Sequence, residues 1–550
     1  MLETSSIKPN VLDDPIFCNV WNWYDGPAED YKGSSIIIFY GMESRKNAIL
    51  GITTDEDSVP AIMEVVSGRR AQLTANSEPC FKLARQCIKN CLNGHSSSCP
   101  FDDAASLPTR VIDLGLDMDA PKVRVFETKG LQGIWVALSH CWGRIARFVT
   151  ETSNLDERTQ GIALADLPNT FLDAIKITRK LGYRYLWIDS LCILQDSHQY
   201  WVDEWGRMQD YYSKAILTIA SDLATGDHES FLDNARPEST SITIPFNTKV
   251  TLTRQSHVYI SKDVQIPGTN PDETSLSVPG WTLQEDILSP RSLHYTTIEL
   301  VFECQQCRFI ETDLTPRGYN EVDQLRASKR FFLRPTSGFN DPFLVKYPTH
   351  KAYYQPISRW YRLFENYCTR LLTYESDRLA AIAGLAKETQ RQTNFSYKAG
   401  LWAEDIHTGL LWGVNGRGER VAKYQAPSWS WASLDIRFHR GRNINPRFEL
   451  YMSIGNWDID SNPESYRRAE VLGCEVEPTN GNTFRPVVGG RLRLRGYMLP
   501  LAEWKGSTET YINVYWRMPR SHQQGDFVGA IRAVKAADQL VCDFDLTPED

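Results

Sequence analysis

The stretch YRYLWIDSLCILQ at residues 183–195 decides the fold, because an aromatic-rich apolar run changes abruptly to polar residues within it. The apolar part, Tyr183–Ile188, has the length and composition of a buried strand. Just before it, apolar residues recur at helical spacing from Phe171 to Leu181, and Gly182 is a typical helix-ending residue. The stretch therefore predicts a helix that leads into a short buried strand.

Similar segments lie on both sides of this stretch. Ile134–Leu138 (IWVAL) and Ile216–Ala220 (ILTIA) are compact apolar runs of strand length, and Tyr200–Ala215 has the pattern of a helix. Strands and helices that alternate with short joins are typical of an α/β layer. We expect an α/β fold with a mainly parallel sheet flanked by helices.

The rest of the chain divides into segments of different character. Strand-like and helical patterns share the N-terminal part, helical patterns surround a loop-rich insertion further on, and short strand-like patterns dominate the end. The predicted domains are an α+β extension at 1–130, the central α/β domain at 131–290, a mostly helical region with a loop insertion at 291–425, and a β-rich region at 426–550.

Composition excludes several classes of protein. Charged residues make up 23% and hydrophobic residues 42% of the 550, which is typical of a globular protein. The net charge of −8 disfavours nucleic acid as a partner. No apolar run approaches the roughly 20 residues that span a bilayer, and the N-terminus lacks a signal-peptide pattern. Twelve Cys are too few for a disulfide scaffold, so we expect a reduced cytoplasmic protein without a membrane partner.

Phosphate-binding loops are missing from the sequence. It contains no G-x-x-x-x-G-K-[ST] motif and no G-x-G-x-x-G motif after a strand, and GVNGRG at 413–418 has the wrong spacing. The kinase, P-loop and Rossmann classes are therefore excluded, and no bound cofactor is expected.

One group of Cys and His residues has a regular spacing. Cys87, Cys91, His95 and Cys99 recur every four residues, and a C-x-x-C motif follows at 304–307. Structural zinc needs four N or S ligands in a tetrahedron, and a ladder on one straight helix spreads its ends too far apart. We expect buried free thiols and no metal, with zinc binding by a broken helix as the open alternative.

A Cys nucleophile is a further alternative. His140 and Cys141 are neighbours near a strand end, but neighbouring side chains on a strand point to opposite faces. Cys192 would need a distant His that the sequence does not identify. A metal- or thiol-dependent hydrolase is therefore the least favoured of the functions considered.

Polar residues follow two of the predicted strands. Ser139 follows the first, and Asp189 and Ser190 follow the strand in the opening stretch. In open α/β sheets ligands bind beyond the carboxyl ends of the strands. If the strands are parallel, Ser139, Trp142, Asp189 and Cys192 converge on one edge of the sheet. The alternative role for Asp189 is to cap a helix or loop.

Glu204 is the carboxylate with the most informative position on a predicted helix. At 100° per residue it lies at the flank of the apolar face, whereas Asp203 and Asp210 point the opposite way. A carboxylate on the packed side must be paired, hydrogen-bonded or raised in pKa. Glu204 is therefore either a catalytic candidate or a structural partner of an arginine such as Arg184 or Arg207.

In these and other segments the chain resembles the fungal heterokaryon-incompatibility (HET) domain family, so that 131–290 is the predicted HET domain. The matching segments are Leu107–Asp113, Ala137–Gly143 (ALSHCWG), Leu167–Ile175, Leu181–Gln195, Trp201–Ala220, Gly280–Glu285, Asp377–Ala386 and Ala426–Ala432. They occur in order over most of the chain. His140 departs from the family pattern, which usually has an aromatic residue at that position.

The resemblance implies a role in non-self recognition between fungal cells, in which HET-domain proteins trigger cell death. The domain is considered a distant relative of TIR domains, which have a flavodoxin-like sheet. Enzymatic TIR domains cleave NAD⁺ with one Glu, and their W-C-x-x-E motif has a counterpart in Trp201-Val-Asp-Glu204. The resemblance therefore implies Glu204 as the catalytic residue and NAD⁺ as a substrate. The implied substrate-binding residues are Ser139, Trp142, Asp189, Ser190, Cys192 and Trp201.

The resemblance also implies partners. TIR-type enzymes complete their pocket across subunits, so a homo-oligomer formed through the HET domain is expected. An incompatibility partner protein is also expected, and its identity is not encoded in any recognisable motif. The alternative function is a non-catalytic signalling or scaffold protein that acts through self-association of the HET domain.

Overall fold

A computed structural model of the chain provides the architecture. It describes residues 17–19, 35–40, 46–55, 58, 68–96, 99–117, 119–143, 148–236, 241–246, 256–261, 274–317, 329, 356–410, 419–420, 423–435, 470–484, 487–495, 512–515 and 530–533.

Strands occur along the whole described chain. In chain order they are β1 (Phe17–Asn19), β2 (Ser35–Tyr40), β3 (Lys46–Thr54), β4 (Arg110–Asp113), β5 (Lys122–Glu127), β6 (Trp135–Ser139), β7 (Ile162–Ala163), β8 (Tyr185–Trp187), β9 (Leu217–Ala220), β10 (Ser241–Phe246), β11 (Ser256–Ser261), β12 (Arg291–Tyr295), β13 (Leu300–Cys304), β14 (Arg308–Ile310), β15 (Asp313–Arg317), β16 (Tyr397–Lys398), β17 (Leu401–Trp402), β18 (Glu419–Arg420), β19 (Leu434–Asp435), β20 (Glu470–Pro478), β21 (Val487–Arg495), β22 (Ile512–Tyr515) and β23 (Ala530–Ala533).

The α-helices are interspersed with these strands. They are α1 (Glu78–Gly94), α2 (Leu155–Gln160), α3 (Asn169–Lys180), α4 (Asp189–Cys192), α5 (His198–Trp205), α6 (Met208–Ser213), α7 (Trp281–Leu288), α8 (Pro356–Cys368), α9 (Ala383–Thr393) and α10 (Ile406–Gly409). Within the described residues, no helix combines the length and the apolar composition that crossing a bilayer requires.

The chain divides into two compact units. The first consists of Met1–Trp201, Lys214–Leu276 and Ser289–Asp323, and the second of Val202–Ser213, Ser277–Leu288 and Gln324–Asp550.

The first unit is built on a large mixed sheet. Ten of its described strands are ordered β15-β14-β13-β12-β9-β6-β8-β4-β5-β7. The four central strands β12, β9, β6 and β8 run parallel to one another, whereas the outer pairs are antiparallel. A smaller antiparallel sheet has the order β1-β2-β3-β11-β10.

The three predicted strands are confirmed as β6, β8 and β9. Every residue of β6 and β9 is buried, as expected of parallel strands that are covered on both faces. Trp135 and Trp187 are almost fully buried in these strands, and the predicted helix before β8 is α3, which buries Phe171 and Ala174. Aromatic side chains thus fill the core beside the strand ends.

The expectation of a mainly parallel sheet is only partly correct, because parallel pairing is confined to the centre. On one side β12, β13, β14 and β15 pair antiparallel in sequence order, joined by turns of a few residues. Such short joins allow only antiparallel neighbours, because a parallel crossover needs about a dozen residues or more. An apolar run indicates a buried strand but does not give its direction.

The predicted helix at 200–215 is broken into α5 and α6, with a turn at Gly206 and Arg207. Glycine lowers helix stability by about 1 kcal/mol relative to alanine, which favours an interruption here. The buried residues on both sides of the turn, Trp205, Met208 and Tyr212, still follow the predicted apolar face.

The second unit has an aromatic core between helices and short antiparallel ladders. Helices α8 and α9 lie within the segment 291–425 that the sequence predicts to contain helices. Trp360 packs edge-on against Trp402 with ring centroids 5.3 Å apart, and the ring centroid of Phe364 lies 4.7 Å from that of Trp431. The ladders β20–β21 and β22–β23 agree with the predicted β-rich C-terminal region.

Candidate functional site

Parallel pairing places the ends of β6, β8 and β9 at one edge of the large sheet. Ala137 pairs with Trp187 of β8 and with Thr218 of β9. The residues that follow these strands therefore lie at the same edge, which we call the strand-end rim. Its members in the first unit are Ser139, His140, Trp142, Asp189, Ser190 and Asp227.

Asp189 is the centre of the hydrogen bonds at the strand-end rim. It starts the one-turn helix α4, and one carboxylate oxygen accepts a hydrogen bond from the Ser190 backbone N–H at 2.7 Å. The other oxygen accepts from the Trp142 indole N–H at 2.9 Å. The carboxylate thus contacts both the first turn of α4 and the indole of Trp142, whereas the helix itself has no side-chain cap.

His140 lies between two carboxylates. Its Nε2 is 3.3 Å from Asp227 Oδ1, and its Nδ1 is 3.8 Å from Asp189 Oδ1. The ring meets Phe171 of α3 edge-on, with centroids 5.3 Å apart, so the imidazole is held by packing as well as by charge. The His140 imidazole therefore lies between two acidic side chains.

Burial raises the pKa of the Asp189 carboxyl above its usual value, and the neighbouring Asp227 raises it further. His140, the Ser190 N–H and the Trp142 indole lower the pKa without offsetting the burial. Within the described part of the chain, neither carboxylate oxygen of Asp227 nor the buried Ser190 hydroxyl has a hydrogen-bond partner. The strand-end rim thus has unused capacity to bind a polar ligand.

Two glycines let the loops of the strand-end rim approach each other. Gly143 has a φ of +75°, and a Cβ added there would lie 2.9 Å from the Gly226 Cα. This backbone conformation favours glycine, and the approach leaves no space for a side chain. The loop that carries His140 and Trp142 therefore packs directly on the loop that carries Asp227.

The two thiols proposed as nucleophiles are buried. Cys141 donates to the Ser275 carbonyl oxygen at 3.2 Å, and only 1% of Cys192 is exposed. Trp201 lies in α5, and its side chain is outside the described part of the structure.

Glu204 belongs to the second unit and is 2% exposed. The Tyr211 hydroxyl donates to one of its oxygens at 2.6 Å, and Arg207 Nη1 lies 3.3 Å from the other. The predicted burial is confirmed, as is the exposure of Asp203 and Asp210 on the opposite side. Of the two arginines expected as alternatives, Arg207 is a partner of Glu204.

Residues 135–285 match the family model described as Heterokaryon incompatibility protein (HET). These residues form a HET domain. The match begins at β6 and ends within α7, so it includes the whole strand-end rim and Glu204. A search of curated proteins and a search of solved structures each returned no match to the chain.

The matched residues lie within the segment 131–290, which carries most of the motifs that resemble the family. Sequence reasoning missed Asp227 in this domain. Only a coarse signal was available, because Asp227 lies in the loop that begins after β9, and β9 is parallel to β6. The binding and catalytic roles assigned to the individual HET-domain residues stay predictions.

Proposed function

We propose that this protein triggers programmed cell death in fungal non-self recognition by hydrolysing NAD⁺ at the nicotinamide–ribose bond. The observation that carries the proposal is the buried Glu204 carboxylate, which is oriented by Tyr211 and Arg207 within the Trp-x-x-Glu motif of the HET domain. A catalytic carboxylate must be held in a fixed orientation towards the reacting atoms.

The reaction requires little acid catalysis. Cleavage of the bond between the ribose C1′ and the pyridinium nitrogen leaves the electron pair on nicotinamide, which departs as a neutral molecule. The ribose passes through an oxocarbenium-like state, as in glycoside hydrolysis, and water adds to C1′ with loss of a proton. In this proposal the Glu204 carboxylate stabilises the developing positive charge. A second acidic residue is not needed to protonate the leaving group.

The strand-end rim supplies groups that suit a ribose. Carboxylate oxygens at Asp189 and Asp227 can accept hydrogen bonds from the two ribose hydroxyls, and the hydroxyls of Ser139 and Ser190 can accept or donate them. The Ser190 hydroxyl and Oδ2 of Asp227 have no hydrogen-bond partner among the described residues, which supports a polar ligand here. We assign recognition of ribose hydroxyls to the strand-end rim.

The test is nicotinamide release from NAD⁺ by the purified full chain, measured by chromatography at protein concentrations that allow assembly. We expect Glu204→Gln to lower the rate by about 10²-fold or more, as loss of a charge-stabilising group does. Asp203→Asn, an exposed neighbour on α5, is the matched control and should retain activity. Circular dichroism checks that both variants fold.

Two results would contradict the proposal. One is the absence of nicotinamide release from assembled wild-type protein. The other is a rate that survives Glu204→Gln unchanged in a folded variant.

A second function is favoured by the same contacts. Tyr211 and Arg207 occupy Glu204 from two sides, which is also what a structural carboxylate requires. In that case the HET domain acts as a non-catalytic scaffold through self-association. Concentration-dependent assembly, measured by light scattering, together with no NAD⁺ turnover in the assembled state, identifies this function.

A further inference from the structure

Four metal-ligating side chains of the first unit converge outside the strand-end rim. The ligand atoms of Cys91, His95, Cys99 and Cys304 all lie within 4.8 Å of one another. The three cysteines are buried and the histidine is partly exposed. We call these four residues the thiol cluster.

The thiol cluster forms because the helix ends early. Helix α1 stops at Gly94, and His95 leaves the helical conformation with a φ of −122° and a ψ of 19°. The Cys99 N–H then donates to the His95 carbonyl oxygen at 2.7 Å, which turns the chain back. A straight helix continued to Cys99 would have spread these residues apart. Because α1 ends at Gly94, their regular spacing of four does not separate them.

The fourth member comes from a distant strand. Cys304 is the last residue of β13, and its Sγ lies 3.5 Å from His95 Nδ1. A tight turn follows, in which the Cys304 N–H donates to the Cys307 carbonyl oxygen at 2.9 Å. The cysteine in the turn has its Sγ 3.9 Å from Cys304 Sγ. Of the two cysteines in this turn, only Cys304 belongs to the thiol cluster.

The distances suit zinc. Bonds of about 2.3 Å to sulfur and about 2.0 Å to nitrogen place the ligand atoms of a tetrahedral site about 3.5–3.8 Å apart. The Cys304–His95 distance of 3.5 Å falls in this range, and the other ligand atoms lie within 4.8 Å of one another. Three sulfurs and one imidazole nitrogen also favour zinc over the harder cations Mg²⁺ and Ca²⁺.

A buried arginine provides complementary charge. Arg291 is fully buried, and its Nη2 donates to the Cys99 carbonyl oxygen at 2.7 Å. Among the described residues no carboxylate forms an ion pair with Arg291. A buried guanidinium needs a nearby negative charge, and zinc bound by three thiolates and one neutral histidine carries a net charge of −1. Arg291 and an occupied thiol cluster would therefore neutralise each other.

We propose that Cys91, His95, Cys99 and Cys304 bind one structural Zn²⁺ ion. Four protein ligands leave no open position for water or substrate, so the ion has no catalytic role. It connects the end of α1 to the end of β13 and thereby attaches the helix to the large sheet. The proposal does not depend on the function of the strand-end rim or of Glu204.

The matched variants lie one helical turn apart on α1. Cys91 and Cys87 are both buried thiols, and only Cys91 belongs to the thiol cluster. In full chain purified without chelators or metal affinity resin, elemental analysis should find about one zinc per chain in the wild type and in Cys87→Ser. Cys91→Ser should lose most of the zinc. A folded wild type without zinc, or a Cys91→Ser variant with full zinc content, would overturn the proposal.

Cobalt replacement tests the ligand set in the wild-type chain, so its main result does not depend on whether a cluster variant folds. Wild-type chain loaded with Co²⁺ should show the intense visible bands of a tetrahedral ion and the sulfur-to-cobalt charge transfer of three thiolates. Cys307→Ser should leave this spectrum unchanged. A four-sulfur spectrum that Cys307→Ser abolishes would replace His95 by Cys307 and overturn the ligand set. An octahedral spectrum would overturn the site itself.

Discussion

The two ends of strand β8 have an aspartate in opposite electrostatic settings. Asp113 lies beside the first residue of the strand, where it pairs with Tyr185 in the antiparallel register. Burial raises its pKa, but hydrogen bonds from Arg184, the Gly115 N–H and Arg124 outweigh burial and lower the pKa to about 2. Arg184 alone makes contacts of 2.7 and 2.9 Å with both oxygens.

Asp189 follows the other end of the same strand, and there burial prevails. Burial raises the pKa of its carboxyl, and the His140 charge, the Ser190 N–H and the Trp142 indole do not offset this effect. The carboxylate of Asp227 lies on the far side of the same imidazole.

The comparison separates a structural acid from a site candidate. An aspartate satisfied by two guanidinium groups stabilises the fold and has little capacity for a ligand. An aspartate with a raised pKa at the carboxyl ends of parallel strands lies where α/β sheets bind ligands. The contacts of Glu204 resemble those of Asp113, because both carboxylates are bound by the side chains around them. For Glu204 these are an arginine and a tyrosine hydroxyl. Activity measurements are therefore more decisive for Glu204 than further geometric comparison.

The largest expected effect on stability is at Asp113. Asp113→Asn leaves two arginines without their buried partner and should lower the free energy of unfolding by about 2–4 kcal/mol. Because the folded pKa of the carboxyl is depressed, its stabilisation is present above pH 4 and is lost as the pH falls towards 2. Urea unfolding at pH 7 measures the loss. Glu127→Gln, which affects a 45% exposed partner of Arg110, should cost less than about 1 kcal/mol. Equal losses in the two variants would show that the buried ion pairs of Asp113 stabilise the fold no more than the exposed pair of Glu127 does.

A smaller effect is expected at the contact between the loops of the strand-end rim. Gly143→Ala should lower the free energy of unfolding by about 1–3 kcal/mol, because it adds backbone strain and a clash with Gly226. Gly130 has a φ of +81° and open space where a methyl group would be added, so Gly130→Ala adds the strain alone. Urea unfolding measures the loss of stability in both variants, and the difference between the two losses is the cost of the clash with Gly226. Identical values would mean that the two loops do not pack as closely as the structure has them.

How far the sequence predicts the molecule depends on whether the pattern is local. Strand β6, strand β8 and helix α3 follow from apolar runs and spacing, and the strand-end rule then predicts that Trp142 and Asp189 share an edge. The burial of Glu204 follows from helical periodicity in the same way. In each case the relevant residues are close in the sequence or linked by a general rule.

Contacts between distant segments could not be predicted. Cys304 meets Cys91 across more than 200 residues only because β13 lies beside the end of α1, and no local pattern contains that information. The direction of the outer strands likewise depends on which strands pair, and an apolar run does not contain this information. The position of His140 between two aspartates could not be predicted for the same reason. One partner lies in the adjacent rim loop, and the other, Asp227, lies 87 residues along the chain.

The smallest expected effect on stability is at Asp189. The direction of its pH dependence distinguishes Asp189 from Asp113. Asp189→Asn removes a carboxylate whose ionisation opposes folding, and the amide oxygen can still accept from the Trp142 indole. The free energy of unfolding at pH 7 should therefore change by less than about 1 kcal/mol. Asn does not titrate, so the difference between the two proteins isolates Asp189.

Because the pKa of Asp189 is raised in the folded protein, its contribution to stability is fully present below pH 4. This contribution is lost as the pH rises through the folded pKa. Wild type should therefore gain stability relative to Asp189→Asn when urea unfolding at pH 7 is repeated at pH 5. A relative loss at pH 5 would show that the carboxylate is held in its charged form, as Asp113 is. The two ends of β8 would then be electrostatically alike, and the strand-end rim would lose its main distinction as a ligand site.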